Sequence, residues 1–480
     1  MKLESERLSL KGWTNVNDST ASYLKAMLDI TPAKMGAFEV MPDETAMYFS
    51  LTFKEFIKFY DNLQKEFARE NDDYEGYAKR ISKVEKYLKI SLKDDFFGWI
   101  GNEIAMAMLR PSGTTDSKEA VIAVHASDIN DAKEGMGHLM RQIKRRTPAK
   151  FQAVTHKEYE INYLNIKGFF RLFLGKLFDK IDKPYFTYID DYVVFSNTPE
   201  MLMSVIDNYI MGKTLSRNTK FMRFVGGFNE AANVSIFLQM PKMYTYLWYY
   251  SDKDTKLSIR KNREHIASFA RVGFQLNATG KMFDTRLIAD FEAPEGNLDD
   301  LEKVTTAEND LMSKEIESLS FKPVLTAEQL SEDGEFKTKY QNGNLQYEYK
   351  VKEGKLDGLC RTYYESGKIK SAVNYKEGKA EGLATFYYEN ETRRAEVKLE
   401  EEKIVGDYKE FYDNGARKAL IPYKDGLADG NAQFFFPSGN LKLEGKYKDG
   451  QREKKWKYFT EDGDVLRKKK FKDDKEKGVE

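Results

Sequence analysis

Beyond residue 340 the apolar and polar positions alternate in short runs that break at glycine on a fixed spacing. Ile369, Val373 and Tyr375 alternate with Lys370, Asn374 and Lys376, a period of two that gives a strand one apolar and one wet face. Gly354, Gly378, Gly426 and Gly450 fall on a 24-residue period, with Glu402 at the skipped step. Gly358, Gly382, Gly406 and Gly430 keep the same spacing, as do Gly343, Gly367, Gly415, Gly439 and Gly463, which miss only at Glu391. Paired aromatic columns run with them: Tyr363, Tyr387, Phe411, Phe435 and Phe459, and beside these Tyr364, Tyr388, Tyr412 and Phe436. Each unit reads as a strand (358–364), a turn (365–367), a second strand (368–375) and a return (376–382). Asn342-Gly343, Asn414-Gly415, Asp425-Gly426, Asp449-Gly450 and Asp462-Gly463 are pairs suited to turns that need positive φ. One hairpin is marginal alone, so roughly five to six units must stack to bury their apolar columns.

The first two-thirds has a different rhythm. Residues 44–52 alternate as a strand, and 53–69 and 77–90 carry helical spacing. Strands are predicted at 104–109 and 120–125, and a helix at 131–143 behind the capping pair Ser127-Asp128. A hairpin at 185–197 precedes a helix at 199–211, and long strands at 267–276 and 282–291 meet at 277–280. Strands grouped with intervening helices predict an α+β layer rather than a doubly wound sheet. The expected fold class is an α+β N-terminal domain followed by an all-β solenoid of 24-residue β-hairpin repeats. The expected divisions are an N-terminal extension (1–37), the α+β domain (38–291), an acidic linker (292–335) with a short helix at 306–319, the repeat array (336–472) and a charged tail (473–480).

Composition narrows the function. Lys+Arg and Asp+Glu are 77 each, so the basic excess expected of a nucleic-acid binder is absent. A single cysteine, Cys360, excludes an intramolecular disulfide and a cysteine-based zinc site. The opening residues, Met1 to Arg7, show no apolar stretch of a leader, and no run of about 18 apolar residues occurs. Membrane association is therefore expected only through a leader or anchor outside this sequence.

Catalytic signatures are missing. His125, His138, His156 and His265 lack metal-ligand spacing, and no nucleophile elbow, phosphate loop or dinucleotide fingerprint occurs. The close glycines at 226–227 and at 98 and 101 read as packing or turn residues. The doublets Asp94-Asp95 and Asp190-Asp191 read as solvated turn acids, and Cys360 as a packed strand residue. No cofactor, metal or catalytic residue is expected. The doubled aromatics are the exception, because alternation puts Tyr363 and Tyr364 on opposite faces. One column is core, and the other is either a second buried layer, the commoner outcome, or an exposed aromatic ladder. In the exposed case Tyr364, Tyr388, Tyr412 and Phe436 form the candidate binding surface, flanked by Lys368, Lys370, Lys376 and Lys379.

The pattern Tyr-x-x-x-Gly-x-x-x-x-x-x-x-Tyr-x-x-Gly-x-x-x-Gly resembles the bacterial variant of the membrane occupation and recognition nexus repeat, in proteins often labelled YwqK-like antitoxins. The Tyr-Glu-Gly-x-Trp core of the eukaryotic repeat is lacking. The resemblance implies a β-hairpin solenoid and a binding or scaffolding role, without chemistry. The run Asp95-Phe-Phe-Gly-Trp-Ile-Gly-Asn-Glu103 and its flanks (38–290) are similar to uncharacterised bacterial domains of cell-envelope proteins, which implies an envelope location. If the given N-terminus is native, the expectation is cytoplasmic. The leading expectation is a non-enzymatic envelope binding protein with an unidentified protein partner. The alternatives are an antitoxin or immunity protein that occludes a toxin, and an enzyme with its site in the α+β domain.

Overall fold

The computed structural model describes residues 2–4, 6–17, 22–70, 74–110, 120–146, 153–178, 181, 183–251, 253–293, 298, 301, 319, 323, 325–326, 328–473 and 475–476. It divides into two compact units, one ending at Asp310 and the other beginning at Leu311, apart from a short segment at 150–155 that groups with the second.

The first unit mixes helices with a 12-stranded sheet. Its strands are β1 (Lys2–Glu4), β2 (Arg7–Asn15), β3 (Thr45–Thr52), β4 (Ile100–Leu109), β5 (Ala120–Ala126), β6 (Val154–His156), β7 (Tyr159–Tyr163), β8 (Tyr185–Ile189), β9 (Tyr192–Ser196), β10 (Val234–Gln239), β11 (Phe269–Ala278) and β12 (Met282–Phe291). They lie in the order β1-β2-β12-β11-β10-β3-β4-β5-β9-β8-β7-β6. Neighbours such as β3 and β4, β10 and β3, and β11 and β12 run antiparallel.

Residues 1–37 are not an extension beside this domain. β2 pairs with β12 over its whole length, from Asn15 opposite Met282 to Arg7 opposite Asp290, and the Arg7 guanidinium holds the Asp290 carboxylate at 2.6 and 2.9 Å. Alternation along the central strands feeds two cores. Phe49, Leu51, Ile104 and Met106 face the cluster built with the helices Phe56–Glu70 and Ile129–Arg146. Tyr48 faces the other way and meets Phe38 and Phe237. The helix Pro199–Ile210 opens with Pro199 in its first turn and the Thr198 side chain accepting from the Met201 N–H.

The second unit is β-rich. Thirteen of its strands, from Gly334–Lys339 to Lys475–Glu476, follow one another as an open antiparallel sheet in chain order, and two short strands pair off that path. The strands Gly358–Tyr363, Ile369–Lys376, Lys379–Tyr387 and Arg393–Glu400 are typical. Cys360, Val373, Ala384, Val397, Ile421 and Trp456 belong to a single buried cluster on one face of the sheet. Large and small residues interlock there: a Cβ on Gly445 would stand 2.0 Å from the Trp456 ring, so glycine makes room for the indole. Leu319, expected in the linker, is 3% exposed and packs into this cluster, with Leu325 and Leu330 beside it. The rest of the helix expected at 306–319 lies outside the described residues, as do 474 and 477–480 of the tail.

Candidate functional site

Two kinds of turn set the side chains of the second unit. In one, the Gly367 N–H donates to the Tyr364 carbonyl and the Tyr364 N–H to the Lys368 carbonyl, both 2.8 Å. Gly367 sits at φ +85°, and the pairing slips by one residue between Thr362 and Tyr363. In the other, Glu377 and Gly378 both have positive φ (51° and 82°), a pair that matches the twist of the flanking strands. The positions where the glycine columns fail keep the same backbone: Glu391 stands at 67°, Glu402 at 66° and Lys454 at 62°. Tertiary pairing imposes a left-handed conformation on these three against their own preference.

Tyr364, Tyr388, Tyr412 and Phe436 share the strand face of the buried Cys360, Ala384, Tyr408 and Ala432 and turn inward instead of forming an exposed ladder. Tyr364 and Tyr388 are half-buried, while Tyr412 and Phe436 are only 3% and 7% exposed. Each tyrosine hydroxyl is committed to the next hairpin: Tyr364 donates to the Tyr387 carbonyl (2.8 Å), Tyr388 to Phe411 (2.9 Å) and Tyr412 to Phe435 (2.9 Å). Tyr340 starts the series by donating to Tyr363 at 2.7 Å. Asn342, Asn390 and Asn414 donate side-chain N–H groups to the carbonyls of Glu365, Asp413 and Pro437 in parallel with them. Lysine ammonium groups lie over the other side of the rings, Lys370 at 5.7 Å from Tyr364 and Lys418 at 6.0 Å from Tyr412. These aromatics are therefore staples between hairpins, and of the lysines expected to flank them Lys370 lies over a ring. Cys360 is buried in the core, where burial pushes its thiol up to about 12.

The face opposite the buried cluster is where the second unit meets solvent. A row of directly opposed residues crosses it without interruption. It begins Lys337–Glu348–Arg361, continues Ala372–Thr385–Glu396, then Lys409–Leu420–Gln433, and ends Glu444–Lys457–Lys468. Ion pairs recur on alternate hairpins: Arg361 with Glu348 (3.8 Å), Lys409 with Glu396 (2.9 Å) and Lys457 with Glu444 (2.7 Å). Between them lie the uncharged pairs Ala372/Thr385 and Leu420/Gln433. Beside the first of these, Leu359 and Leu383 stand 39% and 53% exposed on the same face. Sequence reasoning missed this row because its members meet only through strand register; the signal was Glu348-x-Lys350 recurring as Glu396-x-Lys398 and Glu444-x-Lys446, with Arg361, Lys409 and Lys457 on the same spacing.

In the first unit the sequence-selected acids do not gather. Asp95 takes His138 at 2.7 Å, and Gln142 lies 3.0 Å from the other ring nitrogen. Asp190 takes the Tyr209 hydroxyl at 2.7 and 2.8 Å, which pushes Tyr209 up to about 12. His156 reaches Asp207 at 2.7 Å. Among the described residues no group of three or more His, Cys, Asp or Glu is placed to hold a metal ion.

The dense polar centre is one the sequence reading passed over. Glu103 on β4 is fully buried and collects five donors. Oε1 accepts from the hydroxyls of Tyr48 (2.5 Å) and Ser50 (2.6 Å); Oε2 accepts from the Gly36 N–H (2.7 Å), the Ala37 N–H (2.9 Å) and Tyr192 (3.3 Å). The two N–H groups open the one-turn helix Ala37–Glu39, so the carboxylate faces the positive end of that turn. Gly36 admits the arrangement, since a Cβ there would meet the Tyr192 hydroxyl at 2.6 Å. Burial, then the Glu103 charge, raises the Tyr48 and Tyr192 hydroxyls well above their ordinary range. A carboxylate so fully engaged anchors the turn at 36–39 to the sheet. Nearby His125 is held below its usual value, chiefly by burial.

No helix among the described residues is long and apolar enough to cross a membrane. Residues 1–162 match the family model described as a protein of unknown function, DUF3352. Residues 332–353, 356–377, 404–425 and 428–449 match the MORN repeat variant model. No curated protein matches the chain. MORN repeats suggest a binding or scaffolding role, and the DUF3352 family is uncharacterised. The chain thus joins a stretch similar to a family of unknown function to a β-rich array similar to MORN repeat variants.

Proposed function

We propose that this chain is a non-catalytic docking protein of the bacterial cell envelope. Its C-terminal unit is a stack of 24-residue hairpins whose outer face binds protein. The single observation behind this reading is the division of labour between the two faces of the array sheet. One face, its turns and its tyrosine hydroxyls are consumed in joining hairpin to hairpin. The other presents a regular charged row interrupted by uncharged patches with the exposed Leu359 and Leu383. Exposed leucines and uncharged patches set between ion pairs suit a protein partner. A polyanion would call for a basic excess that the alternating Glu and Lys of this row do not supply. The envelope location rests on the likeness of the first unit to envelope-protein domains, and it remains part of the proposal.

The test places a photo-crosslinking residue at Leu383 or, as control, at Tyr87, which is 62% exposed on the first unit. Crosslinking in living cells is followed by fractionation. Discrete adducts from position 383 in the envelope fraction, and none from 87, are expected. A chain that gives no adduct at 383 does not dock through this face.

A further inference from the structure

The charges of the outer row are arranged antisymmetrically about its midpoint, between Glu396 and Lys409. Counting outward on both sides, Thr385 corresponds to Leu420, Ala372 to Gln433, Arg361 to Glu444 and Glu348 to Lys457. Every charged residue from 348 to 457 thus has a counterpart of opposite sign, and every uncharged one an uncharged counterpart. Only the end pair, Lys337 and Lys468, is like with like. The relation belongs to this row alone: just beyond Glu396 the pairing shifts, so that Lys398 stands opposite Val405 and the flanking positions do not continue as a matched row.

The relation comes with the equal spacing of the three ion pairs, and it makes the row complementary to its own reverse. A half-turn about an axis parallel to the strands, passing between Glu396 and Lys409, lays the row upon itself in reverse. Each residue then faces its counterpart, in the self-complementary manner of a two-fold interface. Sheets packed face to face stand about 10 Å apart, a gap that Lys and Glu side chains reaching from both sides can span. Opposite-charge matching of this kind fixes register and disfavours shifted alignments, because a slip by one hairpin sets ion-paired strands against uncharged ones.

We infer that the outer face of the array docks a second copy of this chain by this two-fold, with Glu396 of each copy opposite Lys409 of the other. The inference rests on the reading of that face as a docking surface and names its partner.

The experiment is sedimentation velocity on the full chain at low and high salt, with three samples: Glu396→Lys, Lys409→Glu, and their equimolar mixture. Far-UV circular dichroism of each variant shows that it is folded. The unaltered chain is expected to dimerise, more weakly as salt rises. Each variant alone places like charges opposite each other twice, and its self-association should weaken by roughly tenfold or more. The mixture should recover dimers. The lysine introduced in one variant then meets the glutamate introduced in the other, while the pair within each chain stays broken. An unaltered chain that stays monomeric, variants that dimerise unchanged, or a mixture that does not recover would each overturn the inference. A monomeric chain that still forms adducts with another protein from Leu383 would overturn only this inference. A monomeric chain without adducts would overturn the docking reading with it.

Discussion

The hydroxyl of Tyr364 donates to the backbone carbonyl of Tyr387, 2.8 Å away on the following hairpin. A residue whose ring helps fill one hairpin therefore satisfies a main-chain acceptor of the next, and Tyr388 and Tyr412 do the same one step on. Replacing any of the three with Phe keeps the ring and loses the bond, so each is expected to cost about 1 kcal/mol. Urea denaturation of the three single variants measures this. Phe436→Tyr, which supplies a hydroxyl where the series stops, should leave stability unchanged or raise it. Phe variants as stable as the parent would show that solvent replaces these bonds at no cost.

Glu391, Glu402 and Lys454 hold left-handed backbone in columns otherwise filled by glycine. A side chain in that region costs roughly 1–2 kcal/mol, of which glycine's greater unfolded freedom returns a part. Glu402→Gly and Lys454→Gly are each expected to stabilise the array by about 0.5–1 kcal/mol. The melting temperatures of the two variants, alone and combined, give the sign; a fall in both would mean that contacts of these side chains outweigh the backbone strain.

Glu103 is the residue on which the first unit is most exposed to a single change. Glu103→Ala strands three hydroxyls and two N–H groups without their acceptor and is expected to cost about 3–5 kcal/mol. Glu103→Gln keeps the shape but turns an amide N–H toward donors, at about 1–3 kcal/mol. Equilibrium unfolding of both variants should show that order.

Burial raises the Cys360 thiol from 9.0 to about 12. At pH 8 its thiolate fraction is then roughly a thousandfold below that of a free thiol, before shielding slows attack further. Ellman's reagent should label it only on unfolding. The native state holds this proton more tightly than the unfolded chain does. Its contribution to stability is therefore complete below about pH 9 and is lost as pH rises toward about 12. Rapid labelling of the folded chain at pH 8 would place Cys360 outside the core.

The array was legible because glycine and aromatic columns are local signals: turn chemistry and a period of two need no tertiary knowledge. Strands at Thr45–Thr52 and Met282–Phe291 and the helix at Pro199–Ile210 fell within a residue or so of expectation for the same reason. The N-terminal β2 was not legible, since Arg7 to Asn15 becomes a strand by pairing with β12, far along the chain. Glu103 was not legible as a buried strand residue because the continuous apolar run that signals β4 begins at Ile104, just beyond it. The burial of Tyr412 and Phe436, the commoner outcome expected, follows from alternation with Tyr408 and Ala432, whereas the carbonyl that each tyrosine hydroxyl reaches on the next hairpin was not legible. Charge pairing across the outer row was hidden because its members meet only through the register of neighbouring strands.

The direction of the tyrosine bonds, each from one hairpin forward to the next, bears on how such a gene changes length. Removing one hairpin whole brings the next tyrosine before an equivalent carbonyl, whereas losing half of one leaves a donor facing the wrong strand. Duplication and loss in this lineage should accordingly proceed by entire hairpins, with broken copies purged by selection.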